Sequence, residues 1–187
     1  YRLDPDAVVS ADDPEGNYAL WAMPTEITGT SQAQGGLGDD LLFGSWWSDD
    51  GTADARDVLL GGTGSDEFWA FNGQNTVVGG KGDDLFVIED YKQTTTIIGD
   101  EAVFGSPDDY TSLQSTKNAD WTTDHVQIGW SKTESFIESI AGFQNAYRIT
   151  KVEGLDANGE RILNQDQVVE IYDIETVEFW DGETFGT

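Results

Sequence analysis

Short segments in which hydrophobic and polar positions alternate run along much of the chain, and this period of two predicts half-buried β-strands. The clearest case is Val126, Ile128 and Trp130, which alternate with less apolar neighbours. Further segments with strand character lie at Tyr147–Val152, Arg161–Leu163, Val168–Tyr172 and Thr176–Trp180. The first two flank an Asn158-Gly159 turn and predict a hairpin, and the last two predict a strand pair. The pattern therefore favours an all-β chain.

One segment has helical spacing instead. Ser131 and Glu134 stand in the positions of a capping box. Phe136, Ile137 and Ile140 follow at the spacing of one helix face. The sequence predicts a short helix here, ending at about residue 141.

Three nonapeptides of the form G-G-x-G-x-D-x-U-x, where U is a large apolar residue, start at Gly35, Gly61 and Gly79. This pattern is the calcium-binding signature of parallel β-helical repeats. Glycines allow positive φ and close packing of carbonyl groups, and the aspartate adds a charged oxygen. Because the motif offers oxygen ligands and no Cys or His, calcium suits it better than a transition metal. The predicted metal-binding residues are Gly35, Gly36, Gly38, Asp40, Gly61, Gly62, Gly64, Asp66, Gly79, Gly80, Gly82 and Asp84.

These repeats resemble those of the repeats-in-toxin (RTX, haemolysin-type) family of calcium-binding proteins. The resemblance implies a parallel β-roll in which two nonapeptides make one turn, with calcium held between turns stacked on the same edge. It also implies export by type I secretion, and hence a secreted, extracellular or cell-surface location. The U positions, Leu42, Phe68 and Phe86, are then expected to point into the roll.

In such a roll, repeats on one edge recur every eighteen residues, and the motifs at Gly61 and Gly79 satisfy this spacing. The nine residues from Ala70 to Val78 form a degenerate repeat for the opposite edge. The segment from Gly44 to Leu60 is too long for one repeat, which predicts an inserted loop at about 46–56. All three full motifs then fall on one edge.

This arrangement predicts two calcium sites between turns, one between Asp40 and Asp66 and one between Asp66 and Asp84. A third is predicted where Gly99 and Asp100 close a site with Asp84. The expected cofactor is therefore two or three calcium ions.

The C-terminal region adds to the resemblance. The patterns D-x-V from Asp124, Y-x-I from Tyr147 and I-E-x-x-x-F-x-D-G from Ile174 are similar to the region that often follows such rolls. The predicted organisation is an N-terminal cap or linker at 1–34, a β-roll with its inserted loop at 35–104, and a β-rich C-terminal cap at 105–187.

Charge narrows the choice of partners. The chain has 187 residues with 9 Lys plus Arg against 36 Asp plus Glu, a formal net charge of −27. Such a chain repels nucleic acid and anionic lipid, so we expect neither nucleic-acid binding nor membrane insertion. It also repels itself, so bound cations would favour its compact state. Since the chain has no cysteine, calcium would replace disulfides as the stabilising cross-link.

Catalytic signatures are lacking in the sequence. A single histidine excludes a His-rich zinc centre, and neither H-E-x-x-H nor G-x-S-x-G occurs. His125 on its alternating strand fits an ordinary hydrogen-bonded histidine. We therefore expect no enzyme activity and no catalytic residues.

Aromatic residues suggest a binding role. Trp46 and Trp47 lie in the inserted loop, followed by Asp49 and Asp50. They form either a lid over the degenerate edge or a platform for a sugar ring, with the carboxylates holding hydroxyls. Trp69, Trp130 and Trp180 are expected in the core.

Three roles stay open from the sequence. The first is a structural or adhesion module whose folding is gated by calcium after secretion. The second is a module that binds an extracellular polysaccharide or a surface partner. The third is self-assembly through the roll ends into a matrix or filament.

Overall fold

A computed structural model describes residues 8–10, 19–21, 29–44, 55–99, 102–104, 113–115, 123–143 and 145–186. Strands dominate these residues. They are β1 (Val8–Ser10), β2 (Ala19–Trp21), β3 (Gly29–Leu37), β4 (Leu41–Phe43), β5 (Ala55–Thr63), β6 (Glu67–Ala70), β7 (Gly73–Lys81), β8 (Leu85–Ile88), β9 (Gln93–Ile98), β10 (Ala102–Phe104), β11 (Leu113–Ser115), β12 (His125–Ile128), β13 (Ser135–Ser139), β14 (Ala146–Leu155), β15 (Arg161–Tyr172), β16 (Thr176–Phe179) and β17 (Thr184–Gly186).

The strands build two main sheets between which the chain alternates. The first sheet has the order β1-β3-β5-β7-β9-β15-β14-β13, and the second has the order β17-β16-β12-β8-β6-β4-β2. From β1 to β15 in the first sheet and from β2 to β16 in the second, neighbouring strands are parallel. A chain that coils in this way between two parallel sheets is a parallel β-roll. The predicted all-β fold is confirmed.

Every second residue of the roll points into a narrow core between the sheets. Register stacks Leu42, Phe68, Phe86, Val126 and Val177 in one column of the second sheet. Each is at most 1% exposed. Phe68 and Phe86 stack with ring centroids 4.9 Å apart. The apolar U position of the repeat is therefore the residue that fills the core.

The roll extends beyond the repeats in both directions. β1 and β2 pair with the strands that carry the first motif, and β12, β15 and β16 continue the two sheets on the other side. The expected strand pair at 168–172 and 176–180 is wrong, because β15 and β16 lie in different sheets. A short turn, 173–175, carries the chain from one sheet to the other. The hairpin at 147–163 is confirmed as antiparallel β14 and β15.

The expected helix after Ser131 is wrong. The structure has one 3-10 turn, Lys132–Glu134, and then strand β13. Glu134 does accept a hydrogen bond from the Ser131 backbone N–H at 3.4 Å, as the capping spacing predicts. The chain then pairs antiparallel with β14, which places Phe136 opposite Thr150 and Ile137 opposite Ile149. Sheet pairing and packing of Ile137 on the core outweigh the local helical spacing.

Among the described residues, helices of the length and hydrophobicity needed to cross a bilayer are not found.

Candidate metal centre

The three motif turns span residues 35–40, 61–66 and 79–84. Each turn connects a strand of the first sheet (β3, β5 or β7) to the next strand in the second sheet (β4, β6 or β8), and the turns stack directly on one another. Gly36 pairs with Gly62, and Gly62 pairs with Gly80. The register predicted from the repeat spacing is therefore confirmed, and these turns form one edge of the roll, which we call the motif edge.

A ladder of aspartates runs along the motif edge. The Asp40 backbone N–H donates to Oδ1 of Asp66 at 2.8 Å, and the Asp66 N–H donates to Oδ1 of Asp84 at 2.8 Å. The same relationship therefore joins each motif aspartate to the next, although they lie 26 and then 18 residues apart in the chain. Each carboxylate is held by the turn before it and directed between turns.

The second oxygen of these carboxylates is buried. Asp66 and Asp84 are each 2% exposed, and within the described part of the chain their Oδ2 atoms have no hydrogen-bond partner. Burying a charged carboxylate oxygen without a hydrogen-bond donor costs free energy. Such a group therefore normally binds a cation or becomes protonated. These two oxygens therefore mark places for positive charge.

Backbone carbonyls of one motif turn also approach the glycines of the following turn closely. Gly62 and Gly64 have φ of +120° and +130°, and a Cβ on either would collide with the carbonyl oxygen of Gly36 or Gly38. The carbonyls of one turn thus point at the next turn across a gap that only glycine leaves open. The glycines both allow the backbone angles and bring oxygens together.

A second close approach involves the first glycine of each motif. A Cβ on Gly79 would collide with Oδ2 of Asp84 and lie 2.6 Å from the Gly99 carbonyl oxygen. A Cβ on Gly61 would meet Asp66 Oδ2 and the Gly79 carbonyl in the same way. Each level of the motif edge therefore combines one carboxylate oxygen with a carbonyl oxygen from the following turn.

The family model of the RTX calcium-binding nonapeptide repeat matches four copies, at residues 28–46 and 52–86. The β-roll carries RTX calcium-binding repeats. They are of the kind found in type I secreted proteins. Comparison with curated proteins gives no match to the chain.

The donor set of the RTX turns fits calcium. Carboxylate and carbonyl oxygens are hard ligands that calcium accepts in flexible geometry. No three His, Cys, Asp or Glu side chains converge on a point that could hold a metal anywhere in the described residues, so backbone carbonyls must supply part of each site. When bound, calcium would supply positive charge between turns, held by Asp40, Asp66 and Asp84 with the glycine carbonyls.

Burial changes the acidity of the aspartates in the RTX turns. It raises the pKa of Asp66 from 3.8 to about 6, against the lowering effect of the hydrogen bond from the Asp40 backbone. It raises the pKa of Asp84 to about 8, with further increases from the negative charges of Asp124 and Asp66. Without a cation, Asp84 therefore resists ionisation near neutral pH, whereas Asp66 does so only below about pH 6.

The opposite edge of the roll contains polar residues that bond with each other. Asp57, Asn75 and Thr95 lie in register there. The Asn75 amide donates to the Phe71 carbonyl at 3.2 Å and to Thr95 Oγ1 at 3.2 Å. Because amide and hydroxyl groups replace carboxylates along much of this column, it differs in chemistry from the RTX turns.

Not all predicted site residues can be placed. Gly99 follows β9 and lies at the same level as the first glycine of a motif. Asp100, Trp46, Trp47, Asp49 and Asp50 lie outside the described residues, so their roles remain predictions. The residue that sequence reasoning missed is Asp124, which accepts from the Asp84 N–H at 3.0 Å. Its D-x-V pattern was visible in the sequence but was assigned to the cap.

The tryptophans are only partly in the core. Trp130 is 2% exposed, as expected. Trp69 is half-buried on the outer face of the second sheet, so its expected place in the core is wrong. Trp180 is 81% exposed, so its expected place in the core is wrong. It follows β16 in a turn, where the alternation of strand faces has ended. Trp69 and Trp180 border a groove of about 340 Å³ that also includes Val87, Gln127 and Glu178.

Proposed function

We propose that this chain is an extracellular module whose folding is gated by calcium after secretion, serving a structural or adhesion role in the protein that carries it. The observation that supports this is the row of buried aspartates on the motif edge, whose Oδ2 atoms at Asp66 and Asp84 have no hydrogen-bond partner among the described residues. Once ionised, such carboxylates disfavour the folded state unless cations neutralise them.

The charge of the whole chain acts in the same direction. At −27, the chain repels itself more strongly when compact than when extended. An ion that binds only the folded roll adds RT ln(1 + [L]/Kd) to its stability, about 2.7 kcal/mol per site at a hundredfold excess over Kd. Two or three such sites change stability by an amount comparable to that of a typical domain.

The consequence for export follows from this linkage. In a cytosol poor in free calcium the chain stays unfolded and can pass a narrow exporter. Outside the cell, where calcium is abundant, the turns bind ions and the roll forms. Calcium thus makes folding depend on location.

The test is a calcium titration of the fully chelated chain, followed by far-ultraviolet circular dichroism. We expect a cooperative transition from coil to β-structure in the millimolar range or below, with no such transition in magnesium. Magnesium demands a smaller, near-octahedral site and keeps its water, so carbonyl-rich turns suit it poorly. A chelated chain that is already fully folded would overturn the proposal.

A second candidate function is binding of a neutral polysaccharide in the groove beside Trp69 and Trp180. The exposed indole of Trp180 offers a flat face for a sugar ring, and Gln127 and Glu178 line the groove with groups that can bond to hydroxyls. The negative charge of the chain disfavours anionic polymers. Trp46 and Trp47, the binding residues expected from the sequence, lie outside the described residues.

Affinity electrophoresis in gels containing neutral polysaccharides tests this second function. We expect Trp180→Ala to lose retention while calcium-induced folding is unchanged. The matched control is Phe143→Ala, which removes an aromatic side chain that is 44% exposed elsewhere. Equal retention of both variants and the parent chain would exclude the groove.

A further inference from the structure

Residues far beyond the RTX repeats reproduce the motif edge. The match to the repeat ends at residue 86, and on this edge Gly99 and Asp124 take the places of the first glycine and the aspartate of a fourth motif turn. We propose that Asp124 is the aspartate of a third calcium site, shared with Asp84 and the Gly99 carbonyl. The inference rests on the proposed function, since it adds a site to the same row.

The backbone around Asp124 repeats the motif contacts one by one. Asp124 Oδ1 accepts from the Asp84 N–H at 3.0 Å, as Asp84 Oδ1 accepts from the Asp66 N–H at 2.8 Å. The preceding residue repeats a second contact in the opposite direction, since the Thr123 N–H donates to Asp83 Oδ1 at 2.8 Å. Its counterpart between the first two turns is the Ser65 N–H bound to Asp39 Oδ1 at 2.8 Å.

The strand that follows Asp124 also keeps the repeat phase. The His125 N–H donates to the Asp84 carbonyl at 2.9 Å, as the Leu85 N–H donates to the Asp66 carbonyl at 2.8 Å. Val126 then pairs with Phe86 and takes the U position in the core. Thr123 and Asp124 therefore occupy positions five and six of a repeat whose earlier part is remote in sequence.

The close approach of oxygen atoms to the first glycine of a motif is also found around Gly99 and Asp124. A Cβ on Gly99 would collide with Asp124 Oδ2, just as one on Gly79 would collide with Asp84 Oδ2. The Gly99 carbonyl lies 2.6 Å from the position of a Cβ on Gly79. Asp84 Oδ2 is buried beside it and has no hydrogen-bond partner in the described chain, and this independent observation indicates a place for a cation.

The glycines before this level have the angles needed to direct carbonyls forward. Gly80 and Gly82 have φ of +112° and +131°, close to the +120° and +130° of Gly62 and Gly64. The donor set is therefore carboxylate and carbonyl oxygen, the chemistry of a calcium site.

The row ends at the next turn. The Asp124 N–H donates to Glu175 Oε2 at 2.9 Å, so a glutamate takes the place of the next aspartate. The turn 173–175 has no glycine, and Asp173 itself has φ of +51°. The Asp173 carbonyl does approach Gly99, 2.3 Å from the position of a Cβ there. Because the turn 173–175 lacks the glycines of a motif and has Glu175 in place of its aspartate, we assign three sites to the row and none to this last turn.

A third ion would join distant parts of the chain. Asp84 and Asp124 lie 40 residues apart in the chain. The ion would hold β12, and through it β16, to the repeats. Calcium would then link the C-terminal strands to the roll, so that the two form together.

Ion counting on the full chain tests the site. We expect equilibrium dialysis with radioactive calcium to give three ions for the parent chain, two for Asp124→Asn and one for Asp66→Asn, which faces two sites. Asp166→Asn, an isosteric change at an exposed aspartate, is the matched control and should keep three. Loss of ions in Asp66→Asn but not in Asp124→Asn would overturn this inference alone. A parent chain that binds no calcium would overturn the proposed function as well.

A crystal structure of the parent chain soaked in terbium makes the test independent of whether the variants fold. Anomalous peaks are expected between Asp40 and Asp66, between Asp66 and Asp84, and between Asp84 and Asp124. Peaks at the first two positions without the third would contradict the proposed site.

Discussion

Oδ1 of Asp84 accepts the backbone N–H of Asp66 at 2.8 Å, and its other oxygen, Oδ2, is buried with no hydrogen-bond partner in the described chain. One carboxylate oxygen therefore fixes the spacing of two turns, and the other is left for a cation. Because Asp40, Asp66 and Asp124 repeat parts of this relationship, loss of one carboxylate affects the sites on both of its sides.

Asp66→Ala is expected to be more damaging than the same change at Asp40, because Asp66 faces the turn before and the turn after. The calcium concentration at the folding midpoint should rise at least tenfold, equivalent to about 1.4 kcal/mol or more. Circular dichroism with calcium titration measures this midpoint.

Asp57→Ala is the comparison on the opposite edge, where Asp57 is 1% exposed. It removes a buried carboxylate without touching the motif edge, so the number of bound ions should not change. A midpoint shift in Asp57→Ala as large as in Asp66→Ala, with equal loss of ions, would contradict the assignment of edges.

Comparing Gly82→Ala with Gly142→Ala separates the cost of a positive φ from the cost of a collision between neighbouring turns. Gly82 has φ of +131°, and a Cβ there would collide with the Gly64 carbonyl. The control Gly142→Ala has φ of +92° but open space around the Cβ. We expect about 1–2 kcal/mol of destabilisation for Gly142→Ala from φ alone. Gly82→Ala should cost more and also weaken calcium binding, as measured by urea unfolding and calorimetry. Equal costs for both variants would show that the turns do not pack closely.

Phe68→Ala tests the core column. Phe68 is 1% exposed and stacks on Phe86, so its loss should destabilise the calcium-bound chain by about 3–5 kcal/mol. Leu155→Ala, at a side chain 64% exposed, should change stability by less than about 0.5 kcal/mol. Denaturant unfolding in saturating calcium gives both values. A cost for Phe68→Ala as small as that of the control would place Phe68 outside the core.

Without calcium, acid should favour the folded chain. The pKa values of Asp66 and Asp84 in the folded chain, about 6 and about 8, lie above the ordinary 3.8. A carboxyl with a raised pKa supports folding while it is protonated. Its contribution is complete below about pH 4 and is lost as the pH rises through the folded pKa. In chelator, the folded fraction should therefore be larger at about pH 5 than at about pH 8.5.

Asp84→Asn provides the control for this pH dependence. Asparagine does not titrate, so the change in folded fraction between about pH 6 and pH 8 should become smaller. Circular dichroism at a series of pH values measures it. A metal-free chain that folds better in alkali than in acid would contradict the argument.

The sequence by itself determined the turns and the filling of the core. Glycines at positive φ, an aspartate at position six and an apolar residue two places later act within nine residues, so Gly62, Asp66 and Phe68 could be assigned locally. The eighteen-residue spacing also placed the motifs at Gly61 and Gly79 on one edge, and the motif at Gly35 joins them if an inserted loop lengthens the repeat between Gly44 and Leu60.

Only the tertiary structure decided which residues continue that edge. Parallel pairing of β8 with β12 brings Asp124 onto the turn of Asp84, 40 residues earlier. Antiparallel pairing with β14 makes a strand of the segment at Phe136 and Ile137 that has helical spacing. The end of β16 at Phe179 leaves Trp180 exposed. For Asp124 and for Phe136 the energy comes from a partner strand outside the local segment, so a pattern over a few residues contains the turn chemistry but not the pairing that completes it.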